Sequence, residues 1–269
     1  MARVHAARAI DQSRRHAVRD VQGDAPLRWL AAGWRDFVRC PGPGLLHGAA
    51  IAAFGLVLVV FGRRAFWGLS GAVSAFLLVA PILATGLYAI SAALERGERP
   101  GLHTALGAWR PREGRGRLIV FGVLLAAAGG GWTITSASLI TTFAAGPVNE
   151  PLDFVRRVML AEHSFLFEGW LMLGGVLAAP VFASTVIAVP MLMDRPVGVL
   201  AAVLTSWRVV LANPFTMALW SATLASLTLA GMVTAMLGLV VVVPWLGHAS
   251  WHAYRDLVAP PAGGEPAER

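Results

Sequence analysis

The chain has 269 residues, of which 57% are hydrophobic and 14% are charged, and its mean hydropathy is +0.65. Soluble globular domains average about 25% charged residues, so this composition excludes an ordinary water-soluble domain and indicates an integral membrane protein. The net charge of +7 comes from arginine, because the chain has no lysine, and the arginines are spread along segments that border apolar stretches. This distribution predicts topology signals and no binding to nucleic acid.

The N-terminal segment is rich in arginine and lacks the apolar core and cleavage site of a signal peptide. We therefore expect residues 1–25 to form a disordered cytoplasmic arm, followed by a transmembrane domain over residues 26–258 and a disordered tail over residues 259–269. The single cysteine, Cys40, excludes an intrachain disulfide.

Long apolar stretches between charged residues predict the membrane spans. The first four cover residues 44–62, 65–94, 118–146 and 169–193. The last apolar region, residues 215–258, would reach about 65 Å as one helix, roughly twice the thickness of the hydrocarbon layer. It is therefore either a hairpin of two spans, near residues 215–231 and 233–256, or one span followed by a surface helix.

An internal repeat favours the hairpin. The segments "APILAT" (80–85) and "APVFAS" (179–184) lie 99 residues apart, and "VPWLGHAS" (243–250) is a weaker third copy. The shared proline lies within a span in the first two copies, which places Pro244 within a sixth helix. We predict an all-α bundle of six spans in three hairpins, with both termini cytoplasmic. This arrangement puts 18 of the 22 arginines on the cytoplasmic side, in agreement with the positive-inside rule.

An amphipathic segment with helical periodicity precedes each predicted hairpin. Such helices lie in the headgroup layer, with tryptophan at the apolar boundary and arginine against anionic lipid, and they can also dock a partner protein. The aromatic residues at the end of the last span are assigned to the same interface. The predicted interface residues are Trp34, Arg35, Trp109, Arg110, Trp207, Arg208, Trp251, Tyr254 and Arg255.

Three segments carry a family resemblance: "LRWLAAGWRDFVRCPG" (27–42), "LLVAPILATGLYAISAALERGERP" (77–100) and "VVVPWLGHASWHAYRDLV" (241–258). They resemble DUF2189, a family of uncharacterised bacterial integral membrane proteins, and the likeness extends from about residue 26 to 258. The resemblance implies a multi-pass protein of the bacterial cytoplasmic (inner) membrane. It implies no activity, cofactor or catalytic residue.

His248 and His252 are four residues apart and so share a helix face that could offer two imidazoles to one metal ion. A zinc-protease motif needs glutamate directly after the first histidine, where this chain has Ala249. Haem or copper would need further ligands. We therefore predict no metal and no cofactor, and expect His248 to form a hydrogen bond with a neighbouring helix.

Thr135, Ser138 and Thr142 would share one face of the third predicted span. Their hydroxyl groups could line a narrow polar path or bond to an adjacent helix. No phosphate-binding loop and no serine nucleophile with partnered histidine and aspartate is visible, so we predict that the chain is not an enzyme. The function that we expect is an accessory or scaffold protein acting through lipids or a membrane-protein partner. The alternative is a small-solute transporter or channel.

Overall fold

The computed structural model describes residues 2–62, 65–109, 115–161 and 164–260. Within these ranges the regular structure is helical, apart from one isolated bridge between Val18 and Val258. A π-helical turn, Val155–Met159, lies between α8 and α9. The helices are α1 (Ala2–Arg14), α2 (Ala25–Arg39), α3 (Pro41–Gly62), α4 (Phe66–Leu83), α5 (Thr85–Glu95), α6 (Leu102–Gly107), α7 (Arg115–Phe143), α8 (Pro151–Phe154), α9 (Leu166–Thr185), α10 (Ala188–Asp194), α11 (Val199–Ala212), α12 (Pro214–Val233) and α13 (Leu239–Leu257).

Five helical segments in the described residues are long and apolar enough to cross a membrane. They are Pro41–Val60, Phe66–Glu95, Leu118–Phe143, Leu166–Asp194 and Pro214–Val233. The polytopic helical bundle predicted from the sequence is thus confirmed. The last apolar region forms two helices, α12 and α13, separated by a turn in which Ala235 and Met236 have positive φ. The polar second half of α13 keeps it below the hydropathy of the other five, so the six-span count stays a prediction.

The first two repeat copies share a helix break. α4 contains Pro81 and gives way to α5 after Ala84, and α9 contains Pro180 and gives way to α10 after two residues. Proline removes one backbone hydrogen bond and disturbs the helix around it. In the third copy, Pro244 lies inside α13, which continues without a break.

α13 lies at the centre of the bundle, packed against α2, α3 and α5. Two glycines allow its backbone to come close to its neighbours. A Cβ atom at Gly33 of α2 would overlap the backbone of Ala249, and one at Gly48 of α3 would overlap the backbone of Val240. Trp251 and Tyr254 of α13 are almost completely buried as a result.

The predicted arm is ordered in the residues that the structure describes, which corrects the expectation of disorder for residues 2–25. α1 packs along α11, and Thr205 Oγ1 donates a hydrogen bond to Ser13 Oγ at 3.0 Å. The backbone N–H of Ala259 donates to the carbonyl oxygen of Ala17 at 3.0 Å, which joins the arm to the end of α13. Residues far away in the sequence therefore supply hydrogen-bond partners for the polar groups of the arm. In the predicted tail, residues 261–269 lie outside the described residues.

Acidification is expected to loosen this arm. Burial lowers the pKa of His16, and the charges of Arg195 and Arg208 lower that pKa further. Arg195 Nη1 donates to His16 Nδ1 at 2.9 Å, which requires the neutral imidazole. An unfolded histidine has a pKa of about 6.5, so the stability contributed by neutral His16 is full above that pH and is lost as the pH falls below it.

The measurement is hydrogen exchange of α1 at pH 7.5 and pH 5.5, corrected for the intrinsic exchange rate. We expect lower protection at pH 5.5 in the native chain. His16→Gln, which cannot titrate, should show the same protection at both values. Equal protection of the native arm at both pH values would contradict the assignment.

Candidate functional site

A buried polar cluster lies where α2, α5 and α13 meet, at the end of the bundle that also carries α6 and α11. We refer to α2, α6 and α11 as the collar helices and to this end as the collar end. The polar cluster consists of Asp36, Ser91, His248 and His252. His252 Nε2 lies 2.7 Å from Asp36 Oδ2, and Ser91 Oγ lies 2.8 Å from His248 Nδ1. Ser91 also lies close enough to Asp36 to help lower the pKa of its carboxyl, so the four side chains form one group.

Asp36 is the charged member of the polar cluster and is only 5% exposed. Burial alone raises the pKa of its carboxyl, but hydrogen bonds from His252 and Ser91, together with the nearby imidazoles, outweigh burial and hold the pKa below its usual value. Asp36 is therefore an ionised acceptor at neutral pH. In the tautomer in which His248 Nδ1–H donates to Ser91 Oγ, the Nε2 of His248 carries a lone pair.

That lone pair has no partner among the described residues. His248 Nε2 is buried and makes no hydrogen bond, and the same is true of His47 Nε2 on α3. The two imidazoles are close enough to interact electrostatically. Buried nitrogens without a partner are uncommon in folded proteins and call for a physical explanation at each site.

A cavity of about 220 Å³ adjoins the polar cluster and lies between α3, α4, α5, α12 and α13. Its wall is mostly apolar, with polar side chains contributed by His47, Tyr88, Thr228 and Ser250. None of the lining residues is charged. Neither this cavity nor the pairing of Asp36 with His252 was predicted from the sequence. The closing "GHASWHAYRD" segment was the only signal of that pairing.

The end of α13 is held by further polar contacts rather than exposed to headgroups. Tyr254 Oη donates to Asp194 Oδ2 at 2.6 Å, and Arg255 Nε lies 3.1 Å from Glu95 Oε2. Trp251 is 1% exposed and Tyr254 is fully buried, so their predicted position in the membrane interface is wrong. Both are surrounded by α2, α5 and α10, which replace the lipid as their environment.

The other predicted interface residues that the structure describes lie on the collar helices or, for Trp109, two residues beyond the end of α6. Trp34, Trp109 and Trp207 are exposed, and so is Arg35. Arg208 instead points to the arm, where its Nη1 donates to the carbonyl oxygens of Ser13 and His16 at 2.7 and 3.2 Å. It therefore anchors protein rather than lipid, which corrects the prediction for this residue. Arg110 lies outside the described residues.

The hydroxyl groups predicted to line a polar path lie on the outer surface of α7. Thr135, Ser138 and Thr142 are exposed, and the two threonines bond to carbonyl oxygens of their own helix. Within one chain they do not form an internal path, which corrects that expectation. The hydroxyl of α7 that bonds to another helix is Ser136, which accepts from Trp170 Nε1 at 2.6 Å.

His248 and His252 do not converge on a common point. One imidazole bonds to Ser91 and the other to Asp36, so each has a separate partner. In the part of the chain that the structure describes, no group of three or more His, Cys, Asp or Glu side chains is arranged to hold a metal ion.

The family model DUF2189, described as a predicted integral membrane protein, matches residues 69–194. This match confirms the resemblance inferred from the sequence for that part of the chain. It covers most of α4 and extends to α10, and thus includes Ser91 and Pro81 but not Asp36 or His248. No curated protein and no solved structure matches the chain.

Proposed function

We propose that this integral membrane protein is an accessory or scaffold protein of the bacterial inner membrane, acting through lipid and protein contacts at its collar end. We place that end, with both termini, on the cytoplasmic side because the positive-inside rule favours that orientation. The observation that supports the proposal is that the collar helices have two different faces. One face is fixed to the bundle, and the other presents apolar side chains to the surroundings.

α2 illustrates the arrangement. Its inner face carries Trp29, Gly33 and Asp36, which contact α12 and α13. Its outer face carries Leu27, which is 68% exposed, and Val38, which is 58% exposed. An apolar face that the chain itself leaves uncovered suits the acyl boundary of a bilayer or the surface of a membrane partner.

α6 and α11 repeat the pattern. α11 buries Ala201, Thr205 and Val209 against the rest of the protein. The exposed apolar residues of the two helices, together with Trp109 two residues beyond α6, are Leu102, Leu106, Trp109, Leu200, Trp207 and Leu211. Three separate helices therefore offer apolar surface and tryptophan at one end of the bundle, which supports a role based on surface contacts.

Arg35 and Arg39 supply positive charge beside this apolar surface. Both are exposed on α2, and neither has an acidic partner among the described residues. Each arginine near an anionic membrane contributes about 1 kcal/mol to binding. We therefore propose that anionic lipids bind at α2.

The double variant Arg35→Gln/Arg39→Gln is expected to retain anionic lipid about thirtyfold less well, because two charge contacts of about 1 kcal/mol each are lost. The measurement is native mass spectrometry of the detergent-solubilised protein with phosphatidylglycerol, compared with phosphatidylcholine. The matched control is Arg8→Gln/Arg14→Gln, which removes the same charge from exposed positions on α1. Equal losses in the two double variants would show that total charge, and not the collar surface, controls lipid binding.

A small-solute transporter or channel is the second candidate, and the cavity is the observation that favours it. The cavity lies inside the bundle, whereas the hydroxyl groups on α7 face outward, so we assign the candidate route to the cavity. An uncharged lining would suit a neutral solute. A glycerol swelling assay on proteoliposomes tests this candidate. A swelling rate equal to that of empty liposomes supports the scaffold. A faster swelling rate that Thr228→Phe abolishes supports transport.

A further inference from the structure

We propose that the cavity between α4 and α12 binds a neutral long-chain alcohol from the bilayer. Its hydroxyl group lies against His47, and its chain leaves the cavity sideways into the lipid. This ligand site goes beyond the scaffold role and does not depend on it.

The position of the cavity favours a ligand dissolved in the membrane. Ile51, Pro81, Leu224 and Thr228 all line it, and all lie within segments long and apolar enough to span the bilayer. Its volume of about 220 Å³ is several times the roughly 30 Å³ that one water molecule occupies in the liquid. It can therefore hold a head group and the first part of an apolar chain.

The helices around the cavity leave a lateral opening. α12 packs against α13, α2 and α11, but it makes no extensive contact with α4. Leu77 of α4 lines the cavity and is itself 39% exposed, so one wall of the cavity continues onto the outer surface. An apolar chain can follow this gap without passing through water.

The polar groups of the cavity favour a hydroxyl head group. His47 Nε2 is buried and has no hydrogen-bond partner among the described residues, and such a group destabilises the fold unless a ligand satisfies it. A hydroxyl group both donates and accepts, so it satisfies either tautomer of the imidazole. Ser250 lies on the same wall, but its own hydroxyl donates to the carbonyl oxygen of Leu246 at 2.8 Å. Among the polar lining residues, His47 is the one whose buried ring nitrogen lacks a partner within the described residues, so we assign the head group to His47.

The uncharged lining of the cavity disfavours an ionic head group. No lining residue carries a charge, so a carboxylate or phosphate would be buried without a counter-ion. Burial of an unpaired ion is far more costly than burial of a hydrogen-bonded hydroxyl. A fatty acid and a phospholipid head group are therefore poor ligands for this site, and a neutral alcohol of similar length is a good one.

The experiment is photolabelling of the full-length protein in nanodiscs with a diazirine derivative of hexadecanol. Labelled peptides should come from α3, α4 and α12 at the cavity, and unlabelled hexadecanol should compete while palmitate should not. Thr228→Phe fills the cavity and His47→Phe removes the hydrogen bond but keeps a ring. Both variants should reduce labelling at least fivefold.

The control is Ala225→Phe, which adds the same ring to an exposed position of α12 and should leave labelling unchanged. Should Thr228→Phe fail to fold, the smaller change Ala80→Leu fills another part of the same wall. Uniform labelling of all lipid-facing helices, equal competition by palmitate, or undiminished labelling in the folded cavity variants would each overturn the proposal.

Discussion

Leucine in place of Gly129 is expected to lower the midpoint of thermal unfolding by about 5 °C or more, whereas leucine in place of Gly130 is expected to leave it nearly unchanged. A Cβ atom built on Gly129 would lie 2.7 Å from the backbone nitrogen and Cα of Ala75, which real contacts essentially never allow. Nothing lies within 4 Å of the equivalent atom at Gly130. α4 and α7 would therefore have to separate in the first variant only.

Both variants add the same side chain to the same helix one residue apart, so helix propensity and total hydrophobicity are matched. The midpoint is measured by heating in one detergent and following the monodisperse fraction by size-exclusion chromatography. Gly129→Ala should give a smaller loss than the leucine. Equal midpoints for Gly129→Leu and Gly130→Leu would mean that α4 and α7 are not in close contact at this position.

The run "GGG" at residues 129–131 shows which part of the helix packing could be predicted from the sequence and which part could not. Small residues in an apolar helix predict close packing against a neighbour. Which glycine makes the contact depends on the rotation of α7 against α4, and that rotation is set by side chains of both helices. Only Gly129 meets Ala75, while Gly130 and Gly131 face open space.

The collar helices were predicted as helices, and most of the predicted interface residues on them are exposed. The side chains that bury the inner faces of these helices were not predicted. On α2 the predicted interface residue Trp34 is exposed, but Trp29, which is 2% exposed and packs inside the bundle, was not predicted. Lipid and protein both accept apolar side chains, so hydrophobicity in a membrane protein does not distinguish the two environments. The same ambiguity explains why Trp251 and Tyr254 were assigned to headgroups.

The polar cluster could not be predicted because its partners are far apart in the chain. Asp36 and His252 are separated by 216 residues, and Ser91 and His248 by 157. The four-residue spacing of the two histidines correctly indicated a shared helix, but spacing carries no information about which other helices lie opposite. α13 became a central helix because Gly33 and Gly48 let α2 and α3 approach it, and that contact brought Asp36 to His252.

Asp36→Ala is expected to reduce the free energy of unfolding by about 3 kcal/mol, because it leaves His252 without its acceptor beside the buried position of Asp36. Asp36→Asn should cost less, since the amide oxygen still accepts one hydrogen bond. The control is Asp20→Ala, an exposed aspartate in the arm, for which we expect a change within about 0.5 kcal/mol. Denaturant unfolding in one detergent gives the three values.

The pH dependence separates this contribution from that of His16. The pKa of Asp36 is lowered in the folded protein, so its contribution is full above the unfolded value of about 3.9 and is lost as the pH falls further, through the folded pKa. Protonation of the Asp36 carboxyl itself therefore makes no difference between pH 7.5 and pH 5.5, a range in which the arm already loosens. A double-mutant cycle with His252→Ala should be less than additive, because the two changes remove the same hydrogen bond. Additive losses would mean that Asp36 and His252 act independently and that the polar cluster does not hold α2 to α13.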